Sequence, residues 1–222
     1  MLLNENNLKT RQLNMIQKIK QHTKKDNSFL KKIPKNVLNA LEKVPRHIFV
    51  PKHMIEHAYN DSPLSIGENQ TISQPYIVAL MTSLLTLDQQ STVLEIGTGC
   101  GYQTAILATI VKKVYSIEII KKLHLKATDT LSKIGYSNIK TSHNDGYFGW
   151  DTYAPYDAIT VSSAYTYIPP KLIEQLNING KLIMPIENKN GNQQLILITK
   201  TSTTSINTKI LINVRFVPFT RF

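Results

Sequence analysis

Nine residues, Leu94-Glu95-Ile96-Gly97-Thr98-Gly99-Cys100-Gly101-Tyr102, restrict the fold of this chain more than any other stretch. A short β-branched run over residues 93–96 leads into them and a helix-length apolar stretch over 102–111 leads out, so they form a strand-to-helix turn. Glycines at alternate positions let the backbone turn sharply and approach a ligand where a Cβ would collide. A dinucleotide fingerprint requires G-x-G-x-x-G. Here the third glycine comes one residue early and Tyr102 takes its place, which favours a nucleoside cofactor with no pyrophosphate to seat on the helix. Beyond Thr92 the pattern repeats: residues 93–96, 114–117, 139–142, 158–161, 182–184 and 195–198 read as strands, and 102–111, 120–134 and 170–176 as helices. Strands too continuous to have a solvated face, alternating with helices, predict an α/β fold whose mostly parallel sheet is covered on both faces. Residues 193–200 and 209–219 have no helix between them and read as an antiparallel C-terminal hairpin.

In such a sheet ligands bind at the carboxyl edge. The second strand ends there in Glu118, 17 residues after Gly101, where a carboxylate can accept hydrogen bonds from both hydroxyls of a ribose. The third runs into Asn144-Asp145-Gly146, a second acid beside a permissive backbone. The competing reading, glycines that merely turn the chain and a surface Glu118, does not account for this spacing.

The chain has 222 residues, enough for one large domain. We divide it into a helical N-terminal cap (1–50, with helices over 8–19 and from Pro34 through Leu41), a segment bordering substrate and cofactor (51–91), and the sheet core (92–222). Its net charge of +11 invites a nucleic-acid reading, but only 18% of residues are charged, below the roughly 25% of an average globular chain. No aromatic RNA-binding strand, zinc pattern or recognition helix accompanies the charge, so no nucleic-acid partner is expected. The lysine run Lys24, Lys25, Lys31, Lys32 and Lys35 reads as a solvated face. One cysteine, Cys100, excludes an internal disulfide and suits a reducing compartment. With no secretory leader and no apolar window of the roughly 18 residues that span a bilayer, a cytoplasmic protein without a membrane partner is expected. His53 and His57 lack a third ligand at metal spacing, so no metal is expected.

The glycine turn with Glu118 and Asp145 resembles the S-adenosyl-L-methionine motif of class I Rossmann-like methyltransferases, a likeness covering roughly residues 92–184. Upstream lie Val44-Pro45-Arg46-His47-Ile48-Phe49-Val50-Pro51 and Gly67-Glu68-Asn69-Gln70-Thr71-Ile72-Ser73-Gln74-Pro75. These blocks, with the closing Val214-Arg215-Phe216-Val217-Pro218-Phe219, closely resemble the protein-L-isoaspartate O-methyltransferases from about residue 37 to the end. The resemblance implies methyl transfer from S-adenosyl-L-methionine to the free α-carboxylate of L-isoaspartyl residues in damaged proteins and peptides. It implies Ser73 as the active-site residue, with Thr71, Ile72 and Gln74 bordering cofactor and substrate. It further implies a cofactor loop of Glu95, Gly97, Thr98, Gly99, Cys100 and Gly101, Glu118 on the ribose, and Asp145 with Gly146 beside the adenine. Thr220 joins the cofactor set, and Phe216, Val217 and Pro218 pair with the substrate backbone. A monomer is expected.

A carboxylate with a reference pKa near 4 is already ionised at neutral pH, so this reaction needs no general base to make its nucleophile. A hydroxyl such as that of Ser73 suits it, because one donated hydrogen bond fixes one oxygen and leaves the other to react. The chain departs from the family pattern at three places. Asn144-Asp145-Gly146 replaces Gly-Asp-Gly. Ser162-Ser163-Ala164-Tyr165 replaces T-A-A-P, which is expected to alter the acceptor pocket. Pro185-Ile186-Glu187, with Gly191 later, replaces a proline-valine-glycine turn and suggests a longer loop. The alternatives are a methyltransferase of the same fold with another acceptor, or an isoaspartyl-recognising cofactor binder without turnover.

Overall fold

A computed structural model describes residues 4–25 and 30–222; the side chain of Lys25, part of the lysine run, lies outside the described residues. Two helices lead: α1 (Glu5–Lys25) and α2 (Lys35–Lys43). Leu8, Gln12, Met15, Ile16, Ile19 and Thr23 form the buried face of α1, while Leu13, counted as apolar from its spacing, is exposed. Gln12 goes inside because its side-chain amide donates to the carbonyls of Leu41 (2.7 Å), Glu42 (3.1 Å) and Val44 (3.1 Å), groups the end of α2 leaves without helical partners.

Two elements were not expected. β1 (Leu64–Gly67) and β2 (Gln70–Ile72) pair as an antiparallel hairpin, turned by Glu68 and Asn69 with φ of 52° and 56°, the left-handed pair a two-residue hairpin requires. α3 (Pro75–Leu84) buries nine of its ten residues, so it has no polar face to give a helical period; Pro75 at its first turn was the available signal.

The sheet comprises β3 (Thr92–Ile96), β4 (Lys113–Glu118), β5 (Ile139–His143), β6 (Tyr156–Val161), β7 (Leu176–Glu187), β8 (Gln193–Lys200) and β9 (Ile206–Val214) in the order β5-β4-β3-β6-β7-β8-β9. β5, β4, β3, β6 and β7 are mutually parallel, and the β7–β8 and β8–β9 pairs are antiparallel. Between them lie α4 (Tyr102–Ala108), α5 (Lys121–Ile134) and α6 (Pro170–Glu174). Alternate strand residues feed opposite cores. Val93, Ala158 and Ile183 pack with α1–α4, while Leu94, Ile159 and Leu182 pack with Leu172 of α6 on the other face.

Two of the boundaries that differ from the sequence reading lie near the carboxyl edge of the sheet. Pro185, Ile186 and Glu187 belong to β7 rather than a loop, since β6 pairs β7 only as far as Ile183 and the proline interrupts no ladder. The last strand stops at Val214, not at residue 219. From there the chain crosses the carboxyl edge of the sheet: Phe216 exchanges hydrogen bonds with the Gln193 side chain (2.6 and 3.2 Å), and Val217 and Phe219 bracket Ala164 (2.8 and 2.7 Å). Arg221 ends beside Asp145, just beyond β5. No helix among the described residues is long and apolar enough to cross a membrane.

Candidate functional site

β3 is the switch point of the sheet: the chain leaves it for β4 on one side and later returns to β6 on the other, opening a crevice at its carboxyl end. The glycine turn sits there. Gly97 and Gly101 have φ of +93° and +90°, accessible at little cost only without a Cβ. The N–H groups of Gly97 (2.8 Å) and Thr98 (3.2 Å) donate to the Ile117 carbonyl, tying the turn to β4. Glu118 is 5% exposed; Oε2 accepts from the Gly99 N–H (2.7 Å) and Oε1 from the Ile120 N–H (2.9 Å). Each oxygen keeps a lone pair, so a preoriented carboxylate lines the crevice with an acceptor on each oxygen.

Two troughs meet at this edge. The first is lined by Gly97, Gly99, Glu118, Ile119, Gly146 and Thr220 among others. The second is lined by Ser73, Gln74, Ile77, Arg215 and Phe216 among others. Thr71, Ser162 and Val217 line both, so the two troughs adjoin at these residues. Ser73 stands between β2 and α3, held on both sides by ordered backbone. Gly146 closes the first trough tightly: a Cβ there would lie 2.3 Å from Cγ2 of Ile96.

Several residues expected at the cofactor face elsewhere. Ile72 is buried in the core below the hairpin. Cys100 packs in the core as a small apolar group, its thiol pushed up to about 11 by burial. Thr98 turns inward, its hydroxyl 2.6 Å from that of Ser116. Glu95 is wholly buried beneath the turn, on the β3 face opposite Leu94 and Ile96. Its Oε2 accepts from Thr104 (2.5 Å) and Ser116 (2.6 Å), its Oε1 has no partner, and burial pushes its carboxyl up to about 7. These side chains shape the loop from below because strand alternation and the tight turn send them into the core. Asp145 does reach the carboxyl edge, with Oδ1 accepting from the Tyr147 N–H (3.0 Å) and Oδ2 from Arg221 (2.6 Å). At Phe216 both backbone polar groups are taken by Gln193, the Val217 carbonyl accepts from Ala164 and Pro218 has no N–H, so a substrate strand would have to use the Val217 N–H, the Pro218 carbonyl or side chains.

Ser162, Arg221 and Arg46 were not assigned from sequence. Ser162 falls in the stretch that departs from T-A-A-P, and a Cβ on Gly97 would meet its Cβ at 3.4 Å. Arg46, conspicuous in the Val-Pro-Arg-His block, is fully buried 4.9 Å from the Tyr102 ring, with Nε donating to the Ala58 carbonyl (2.8 Å). It joins the segment leading to the hairpin to the first residue of α4. Nothing local marks Arg221, because its partner is 76 residues away.

Comparison with known proteins decides the family. The model of protein-L-isoaspartate(D-aspartate) O-methyltransferase matches residues 12–221. The chain belongs to the protein-L-isoaspartate O-methyltransferase family. It is 52% identical over 166 residues to protein-L-isoaspartate O-methyltransferase 2 of Shewanella sediminis, covering 75% of this chain and 68% of that one. To the Polaromonas sp. protein of the same name it is 46% identical over 188 residues, covering 85% and 89%. The crystal structure of a Plasmodium falciparum protein described as belonging to this family, in complex with S-adenosyl-L-homocysteine, superposes with a TM-score of 0.79 at 26% identity, covering 93% of this chain and 97% of that one. This isoaspartate O-methyltransferase is accordingly an S-adenosyl-L-methionine-dependent enzyme of protein repair, on a seven-stranded methyltransferase sheet.

Proposed function

We propose that the enzyme methylates the free α-carboxylate of L-isoaspartyl residues with cofactor in the first trough and substrate in the second. The observation that carries this is their meeting at Thr71, Ser162 and Val217, which sets the Glu118 carboxylate and Ser73 in adjoining troughs. S-adenosyl-L-methionine supplies an electrophilic methyl group on its sulfonium. The residues around it fit such a group: Glu118 offers two acceptors fixed by backbone N–H groups, and the wall at Gly146 has no room for a side chain.

In this reading Gly97, Gly99, Gly101 and Thr220 border the cofactor, Glu118 holds its ribose and Asp145 its adenine amine. Ser73 donates to one oxygen of the substrate carboxylate and so aims the other, without the charge that would quench a nucleophile. Thr71 and Gln74 border the substrate trough, while the Val217 N–H and the Pro218 carbonyl present backbone to a substrate of any sequence, since main-chain contacts ignore side-chain identity. The resulting ester collapses to a succinimide whose hydrolysis restores some aspartate. We take the enzyme to act in the cytoplasm, as a monomer and one functional domain, with α1 and α2 as a cap. The test is base-labile methyl ester on an isoaspartyl peptide and none on its aspartyl twin; equal labelling of both would refute the acceptor assignment.

A further inference from the structure

Residues 219–221 are clasped where the cofactor reading puts the adenine. Thr220 lines the first trough, and Arg221 Nε donates to Asp145 Oδ2 at 2.6 Å. The Arg221 guanidinium lies 3.7 Å from the centroid of the Tyr147 ring and is flanked by the Tyr165 hydroxyl. The Asp145 side chain is only 5% exposed, and its second oxygen is already held by the Tyr147 N–H. Tyr165 stands where the related pattern has proline, and its ring packs 5.1 Å from that of Phe219. The departure expected to reshape the acceptor pocket therefore acts, at Tyr165, on the opposite end of the site.

We propose that Arg221 is a positioning residue for the cofactor's base: stacked on Tyr147 and paired with Asp145, it fixes the carboxylate's orientation and closes the adenine end of the trough. With Tyr147 N–H on one oxygen and Arg221 on the other, Asp145 cannot rotate, yet each oxygen keeps a lone pair for an exocyclic amine. The task suits arginine, because a planar guanidinium can lie on a ring and donate in its own plane at once, which an ammonium cannot. This inference rests on the assignment of Asp145 to the adenine.

The experiment measures binding of S-adenosylhomocysteine and of S-inosylhomocysteine, which carries an oxo group in place of the amine, to the full chain and to Arg221→Ala, Arg221→Lys and Asp145→Asn. Arg221→Ala is expected to bind S-adenosylhomocysteine about tenfold more weakly, with faster dissociation. Its preference for the adenine analogue narrows about threefold or more, while the KM for an isoaspartyl peptide stays within about twofold. Arg221→Lys recovers little of the loss. Unchanged or tighter binding by Arg221→Ala overturns the proposal, and so does equal weakening toward both analogues, the signature of a purely structural role. Asp145→Asn separates the two layers: if it leaves binding of S-adenosylhomocysteine intact, the adenine assignment itself fails. If it weakens binding while Arg221→Ala does not, only the role of Arg221 fails.

Discussion

Glu95 offers a direct test of how burial governs a carboxyl group beneath the glycine turn. It is fully buried, accepts two hydroxyl hydrogen bonds on one oxygen and none on the other, and is pushed from 4.5 up to about 7 by desolvation. The unfolded chain releases this proton near 4.5, whereas the folded enzyme holds it until about 7. Its stabilising contribution is thus full below pH 4.5 and is lost as pH rises through 7. A difference of about 2.5 pH units at 1.36 kcal/mol each gives about 3 kcal/mol. Glu95→Gln removes the titration while keeping an oxygen to accept from Thr104 and Ser116. Its amide hydrogens gain no partner, so the variant is less stable by about 1–3 kcal/mol at low pH, where the wild-type side chain is a neutral acid. The gap then shrinks by about 3 kcal/mol, and can change sign, by pH 8. Urea unfolding of the cofactor-free enzyme between pH 5 and 8, followed by circular dichroism and by the fluorescence of its single tryptophan, Trp150, measures this. Wild-type and variant curves that stay parallel across the range would refute the assignment of a raised carboxyl at Glu95.

Ser73→Ala should lower kcat by about 10- to 100-fold through loss of carboxylate orientation, with S-adenosylhomocysteine affinity preserved by calorimetry; unchanged turnover would remove Ser73 from its role. Glu118→Ala loses both ribose acceptors and the anchor of the Gly99 and Ile120 N–H groups, so binding of S-adenosylhomocysteine should weaken by about 100-fold. Gly146→Ala forces a Cβ against Ile96 and should cost about 1–3 kcal/mol in denaturant unfolding, with a parallel loss of cofactor affinity.

The parallel half of the fold was legible because its inner strands β3 and β6 are buried on both faces and therefore written in continuous apolar runs, as in Val93-Leu94 and Ala158-Ile159. The glycine turn, Glu118 and Asp145 were legible for a related reason: their spacing is fixed by local strand–helix geometry. Legibility failed where the deciding contact is remote. Gln12 displaces Leu13 from the inner face of α1 to satisfy carbonyls at the end of α2, a demand no helical period in α1 records. α3 left no period because it is apolar all round, and residues 215–219 read as strand although Gln193 and Ala164, in other elements, turn them across the sheet edge.

The same dependence on remote contacts separates three acids that the family resemblance assigns alike to the cofactor. Glu95, Glu118 and Asp145 are each nearly or fully buried at the crevice, yet they meet different donors. Two backbone N–H groups hold Glu118 with its lone pairs toward the trough, an arrangement built from the glycine turn and the start of the β4–α5 link and therefore predictable from local sequence. Hydroxyls from α4 and β4 hold Glu95 from one side only, so its bare oxygen makes ionisation costly and it serves the loop as a packed, titratable strut. Asp145 takes one N–H from its own turn and a guanidinium from the far end of the sequence. On the proposed reading the first arrangement serves binding and the third would make grip on the base depend on residues that cross the sheet edge to reach it, while the second gives stability that varies with pH. Cofactor affinity in this enzyme should accordingly respond to changes near Arg221 and Tyr165 that leave the glycine turn untouched, whereas changes at Glu95 should register first in stability.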